Sequence, residues 1–136
     1  MQLMPDAFED QAWVRLGVAT ALGREYQADQ RSFLALLADA LEKALPGETE
    51  LKRTGFFSNK RLVSVSLLLG NDRYTIEDPG RGPLVATHVH VVRGIAVKTE
   101  EIAMNQALAE IGEALDQRAK TSEAARNALA AMLGLS

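Results

Sequence analysis

Two histidines, His88 and His90, are the side chains of this chain best suited to chemistry. They are the only histidines, and because they stand two apart in a strand-like segment, both point to one side of that strand. Two imidazoles so placed could bind a divalent metal ion if a carboxylate joined them. The strand register expected below places Arg73 opposite His88, however, and a cation there opposes metal binding. We therefore interpret the histidines as solvent-facing strand residues and predict no metal site.

Other catalytic groups are scarce. The chain has no cysteine, which removes disulfides, thiolate nucleophiles and cysteine-based metal sites. No serine lies in a G-x-S-x-G motif, and Ser64 and Ser66 alternate with apolar residues as the polar face of a strand does. The segment Gly80-Arg81-Gly82 joins two expected strands, whereas a phosphate-binding loop leads from a strand into a helix. The sequence thus predicts no catalytic residue, no cofactor and no enzymatic activity.

Two adjacent aromatic residues, Phe56 and Phe57, lie among basic ones, which are Lys52, Arg53, Lys60 and Arg61. Aromatic rings among cations could stack on nucleic-acid bases. They could equally contact a protein partner, since aromatic residues are enriched at interfaces. A third interpretation is that one phenylalanine closes the end of the hydrophobic core.

The strongest strand signal lies in residues 61–70, where the apolar positions on one face are Val63, Val65, Leu67 and Leu69. Two turns extend this strand into a sheet. A two-residue turn at Asn71-Asp72 would place Leu69 opposite Tyr74, so that apolar meets apolar. A second turn over residues 78–83 would place Ile76 opposite Val85. A slip of one residue in either hairpin would move these side chains to opposite faces.

Two further segments extend the expected sheet. Residues Glu48–Arg53 alternate weakly between apolar and polar and predict an edge strand. The last strand is expected from Leu84 to about Val92. Arg93-Gly94 then bends or bulges the chain, and Ile95–Val97 continues the strand briefly. The sheet is therefore predicted to be a four-stranded antiparallel meander.

Helical segments are expected on both sides of the strands. Residues 6 to about 45 carry apolar side chains near helical spacing, and Pro46-Gly47 ends that run. Thr99 is a suitable N-cap for the C-terminal segment, with Glu100-Glu101 in the first turn, where the helix dipole favours anions. This segment is either one helix to residue 133 or two helices with a break near Lys120-Thr121.

Length and composition fit one folded domain. The chain has 136 residues, of which 47% are apolar and 24% charged, an ordinary globular balance. The order of the expected elements is α-β-β-β-β-α. We therefore predict a single α+β domain over residues 1–136.

Charge and hydropathy limit the partners and the location. The net charge is −3, although residues 48–98 hold eight basic and five acidic side chains. This small basic excess argues against nucleic acid as the principal partner. No run of about twenty apolar residues is present, as a membrane span needs. The acidic start of the chain is unlike a signal peptide, so a cytoplasmic location is expected.

One junction carries a resemblance. The run Val91–Glu101 (VVRGIAVKTEE), followed by an acidic helix rich in alanine and leucine, resembles a segment of small uncharacterised bacterial proteins. In those proteins, too, a long helix ending in L-P-G precedes the strands, as Leu45-Pro46-Gly47 does here. The resemblance implies a bacterial protein of unknown function and transfers no catalytic residue.

The second face of the expected sheet suggests a function. Besides polar residues it carries the apolar side chains of Leu62, Leu68, Leu84, Ala86 and Val92, which favours burial against another molecule. The sequence thus predicts a non-enzymatic protein–protein interaction or adaptor module that acts as a homodimer. Candidate partner contacts are Phe56, Phe57, Arg73, His88 and His90. Two alternatives are nucleic-acid binding by the basic strands with Phe56-Phe57, and a metal or small-ligand site at the two histidines.

Overall fold

The protein has a two-layer α+β architecture, in which an antiparallel sheet carries helices on one face. A computed structural model describes residues 22–23, 26, 29–55 and 60–133. The described elements are α1 (Gln30–Ala44), β1 (Thr49–Thr54), β2 (Arg61–Leu69), β3 (Asp72–Glu77), β4 (Val85–Val92), β5 (Ile95–Ile102), α2 (Met104–Ala119) and α3 (Glu123–Leu133). Within these ranges, no helix is long and apolar enough to cross a membrane.

The five strands form a meander in the order β1-β2-β3-β4-β5. The first tight turn is Gly70-Asn71, because Leu69 lies opposite Asp72 and Leu67 opposite Tyr74. Gly70 has a φ of 63°, a conformation that glycine adopts without strain. The turn was predicted at Asn71-Asp72 and lies one residue earlier, so each residue of β2 pairs with β3 two residues earlier than expected. An even shift preserves the faces, so the predicted apolar face of β2 and β3 remains one face.

The second hairpin differs from the prediction by one residue. Ile76 lies opposite Ala86, and not opposite Val85 as expected. The cause lies in the connecting loop, where Asp78 is buried. Its Oδ2 accepts a hydrogen bond from Arg61 Nη1 at 2.9 Å, and its Oδ1 accepts one from the Gly80 amide at 2.9 Å. Because of this loop, the β3–β4 register differs from the predicted one by one residue. Each side chain of β4 therefore lies on the face opposite to the one predicted.

A fifth strand replaces the expected bend. Arg93-Gly94 forms a two-residue turn between Val92 and Ile95. Both turn residues have positive φ, 54° and 80°, as type I′ hairpin turns require. The predicted count of four strands was therefore too low by one.

The C-terminal helical segment also begins later than expected. Thr99 pairs with Val89 inside β5 and is not a helix cap, so that prediction was wrong. The helix starts at Met104, and its N-cap, Ala103, makes no side-chain capping bond. Antiparallel pairing with β4 holds residues 99–101 in the sheet, and this tertiary gain overrides their local preference for a helix start.

The helices begin and end at recognisable signals. The Oδ1 atom of Asp29 accepts hydrogen bonds from the amides of Arg31 and Ser32 and caps α1. Leu22, Gly23 and Tyr26 are also helical, and the rest of the predicted helical run before residue 29 lies outside the described residues. After α2, Ser122 Oγ accepts a hydrogen bond from the Ala125 amide at 3.1 Å. The C-terminal segment is therefore two helices with a break at residues 120–122.

The hydrophobic core lies between the helices and one face of the sheet, called here the helix-covered face. Helix α1 packs on β1 and β2, α2 packs on β4, and α3 packs on both helices. The fully buried side chains of this core include Phe33, Leu37, Leu41, Leu67, Ile76, Ile111 and Leu115. The other side of the sheet is called the open face.

Candidate interaction surface

The predicted site residues do not form one cluster. His88 lies opposite Tyr74 and His90 opposite Asp72, so both histidines are on the helix-covered face. Arg73 lies opposite Val89, on the open face. The expected pairing of Arg73 with His88 was therefore wrong, because the loop at Asp78 changes the register by one residue. Phe56 and Phe57 lie outside the described residues.

His88 is held by two acidic side chains from the neighbouring strands. Its Nε2 lies 2.8 Å from Asp72 Oδ1, and its Nδ1 lies 3.4 Å from Glu100 Oε1. The ring stacks on Tyr74, with a centroid distance of 5.1 Å and an interplanar angle of 30°. One imidazole thus connects β3, β4 and β5.

Electrostatics favour the charged form of this imidazole. The hydrogen bond to Asp72 raises the pKa of His88, Glu100 raises it further, and partial burial opposes them. The same hydrogen bond lowers the pKa of Asp72. Burial raises the pKa of the neighbouring Tyr74, and the negative charges of Glu110 and Asp72 add to this effect. The two carboxylates, Asp72 and Glu100, therefore favour the protonated form of His88.

This arrangement limits the chemistry available to His88. Both of its ring nitrogens have a carboxylate partner, so neither is free to accept a proton from a substrate.

Among the described residues, no group of three or more His, Cys, Asp or Glu side chains is placed to hold a metal ion. A cleft of about 370 Å³ lies under α2, but its lining, which includes Leu69, Glu110 and Arg118, contains neither histidine.

Strand β5 forms one edge of the sheet and is the most exposed strand. Seven of its eight residues are exposed to solvent. Ile95 and Val97 are 66% and 57% exposed, and Val92, just before the turn, is 39% exposed. The tip of the β4–β5 hairpin therefore presents apolar side chains next to a strand edge with which no other described strand pairs.

The opposite edge, β1, has a different character. Its one large apolar residue, Leu51, packs against the core, and its exposed residues are Glu50, Lys52, Arg53 and Thr54. A bulge at Lys52/Arg53 also interrupts its pairing with β2. Charges and bulges are common means of protecting an edge strand from association. Strand β5 also carries charges, and a register shift after His90 leaves its Val97 without a partner in β4. It differs from β1 in exposing two large apolar side chains, those of Ile95 and Val97.

The open face is mixed in polarity. One cross-strand row contains Leu68, Arg73, Val89 and Thr99. The next row contains Ser66 and Thr75, whose hydroxyl oxygens lie 2.9 Å apart. The expected apolar residues Leu84 and Ala86 are buried, at 6% and 2% exposure, and so they do not belong to an exposed second face. The β4 residues on the open face are instead Val85, Thr87 and Val89.

The sequence predicted Ile95–Val97 only as a brief continuation of β4 and so missed β5 as a separate strand, although one signal for it was present. An Arg-Gly dipeptide between two runs of β-branched residues is consistent with a tight turn followed by another strand.

Neither the family models, nor the curated proteins, nor the solved structures with which the chain was compared show a match.

Proposed function

We propose that the protein is a non-enzymatic protein–protein interaction module that acts as a homodimer. The observation that supports this function is the edge strand β5, exposed along its length and bordered by the apolar side chains of Ile95 and Val97. An unpaired strand edge offers a row of free backbone donors and acceptors to another chain.

Burial of the hairpin tip supplies a driving force for association. Burying one large aliphatic side chain completely is worth about 1.5–3 kcal/mol. Ile95 and Val97 are already partly covered, so each contributes less than that value. The backbone hydrogen bonds between two paired strand edges add to this gain and fix the orientation of the two chains.

Light scattering coupled to size-exclusion chromatography tests this function. The expected mass is twice the 14.7 kDa of one chain at micromolar concentration, falling toward one chain on dilution. A Val97→Glu variant should shift the equilibrium toward monomer, because it places a charge in the apolar contact. The control Glu50→Lys changes an exposed residue of the other edge, β1, and should leave the mass unchanged.

Two results would count against the homodimer. One is a single-chain mass at all concentrations up to several hundred micromolar. The other is salt-dependent binding to a generic oligonucleotide by a monomer, which would favour the nucleic-acid alternative instead.

A further inference from the structure

We infer that the β5 edge pairs with the β5 edge of a second copy, antiparallel and about a twofold axis at Thr99, joining two five-stranded sheets into one of ten strands. This inference rests on the proposed homodimer and specifies its contact. An isologous contact of this kind is the commonest way in which two identical chains associate.

The charges of β5 select the register. When a twofold axis relates two identical antiparallel strands, the residue on the axis lies opposite the same residue of the other copy. The residue before it in one copy then lies opposite the residue after it in the other. With Thr99 on the axis, Lys98 of each copy lies opposite Glu100 of the other. Opposite charges placed directly across two strands stabilise the pair, whereas like charges destabilise it.

Neighbouring registers lack this complementarity. An axis at Lys98 places two ammonium groups face to face, and an axis at Glu100 does the same with two carboxylates. An axis at Glu101 again pairs two carboxylates. Within the segment Lys98–Glu101, Thr99 is therefore the residue at which the strand complements itself.

The same register gives two of the exposed residues apolar neighbours. Ile95 of each copy lies opposite Ala103 of the other, and Ala96 lies opposite Ile102, which is half-buried. Val97 lies opposite Glu101, next to the central pair of charge contacts.

The helices leave room for this pairing. They pack on β1, β2 and β4, and β5 packs chiefly on β4. A twofold axis perpendicular to the sheet keeps both helical layers on the same side, next to each other. The twofold relation therefore places no described helix between the two β5 strands.

A cysteine cross-link tests the register directly, because the chain has no native cysteine. In Thr99→Cys, the two thiols lie opposite each other. Directly opposed Cα atoms in an antiparallel pair are about 4.5–5.5 Å apart, which is within the range of a disulfide. Mild oxidation should therefore convert the larger part of the protein to a covalent dimer.

The matched control is Glu101→Cys on the same strand and the same face. Its two thiols lie two residues to either side of the axis, roughly 13 Å apart along the strands. This variant should cross-link at least tenfold more slowly than Thr99→Cys. Equal cross-linking of the two variants would overturn the Thr99 register.

Charge reversal gives an independent readout by light scattering. Lys98→Glu places like charges opposite each other at two positions and should weaken the dimer by roughly tenfold. The double variant Lys98→Glu/Glu100→Lys restores opposite charges across the axis and should recover most of the affinity. The single variant Glu100→Lys controls for the lost contact with His88.

The outcomes separate the contact from the function. A dimer that persists, with no cross-link in the Thr99→Cys variant and no recovery in the double variant, overturns pairing through β5 and leaves the proposed homodimer standing. A monomer at all concentrations overturns both. A cross-link in Thr99→Cys together with recovery in the double variant supports both.

Discussion

Asp72 reaches diagonally across the sheet to His88. Its direct partner in the β3–β4 register is His90, yet its Oδ1 lies 2.8 Å from His88 Nε2 and 3.6 Å from His90 Nδ1. Because Glu100 approaches the other nitrogen of His88, three adjacent strands share one charged contact.

This contact predicts a specific dependence of stability on pH. The pKa of His88 is raised on folding, so its contribution is complete below its unfolded pKa of about 6.5 and is lost as pH rises through the folded value. The pKa of Asp72 is lowered, so its contribution is present above about 3.9 and is lost as pH falls through the folded value. The contact thus stabilises most between about pH 4 and 6.5.

Urea unfolding of the wild type and of His88→Gln at pH 6 and pH 8 checks this prediction. The free energy of unfolding of the wild type should fall more over this interval than that of the variant. His90→Gln serves as the control and should keep most of the wild-type difference. An identical pH dependence in wild type and His88→Gln would contradict the assignment.

A pair of adjacent leucines tests which face of β2 is buried. Leu67 is fully buried in the core, whereas Leu68 is 36% exposed on the open face. Leu67→Ala should lower the free energy of unfolding by about 2–5 kcal/mol, through lost burial and a cavity. Leu68→Ala should change it by roughly 0.5 kcal/mol or less. Chemical denaturation measures both, and similar losses would indicate a different register.

The loop contact of Asp78 should contribute to stability. Its carboxylate is buried and binds both the Arg61 guanidinium and the Gly80 amide. Asp78→Ala removes both bonds and should cost about 1–3 kcal/mol in unfolding free energy. Asp78→Asn keeps an oxygen for the Gly80 amide, so its loss should be smaller. Thermal and urea unfolding of the two variants give the comparison, and equal losses would mean that the amide bond contributes little.

The β4–β5 turn contains a strained residue. Arg93 has a φ of 54°, which costs most non-glycine residues about 1–2 kcal/mol. Arg93→Asn should raise the free energy of unfolding by about 0.5–1 kcal/mol, because asparagine before glycine suits this turn type. Gly94→Ala, at a φ of 80°, should instead lower it by about 1 kcal/mol or more. A neutral result for both, measured by thermal unfolding, would argue against a turn of this type.

The apolar face of β2 could be predicted because its alternation has a period of two that local sequence alone determines. Val65, Leu67 and Ile76 are buried together as expected. The face of β4 could not be predicted in the same way. It depends on whether the loop after Ile76 adds an even or an odd number of residues. That number follows from the tertiary contact of Asp78 with Arg61, which no local pattern reveals.

The histidine contact was hidden for a related reason. It needs the correct β3–β4 register to bring Asp72 close to His88, and it needs β5 to supply Glu100. The segment around Thr99 fits a helix start as well as a strand, and only its pairing with β4 decides between them. The site could therefore not be predicted, because local sequence determines neither the β3–β4 register nor whether the segment around Thr99 is a strand.

The meander order has a kinetic consequence. Every strand pairs with the next one along the chain, and the connections at Gly70-Asn71 and Arg93-Gly94 hold only two residues each. Closing such short loops costs little chain entropy, and topologies rich in near-neighbour contacts fold faster than those with distant ones. We expect the sheet to nucleate from its hairpins, with the docking of α3 onto α1 as the late step that joins the two ends of the described chain.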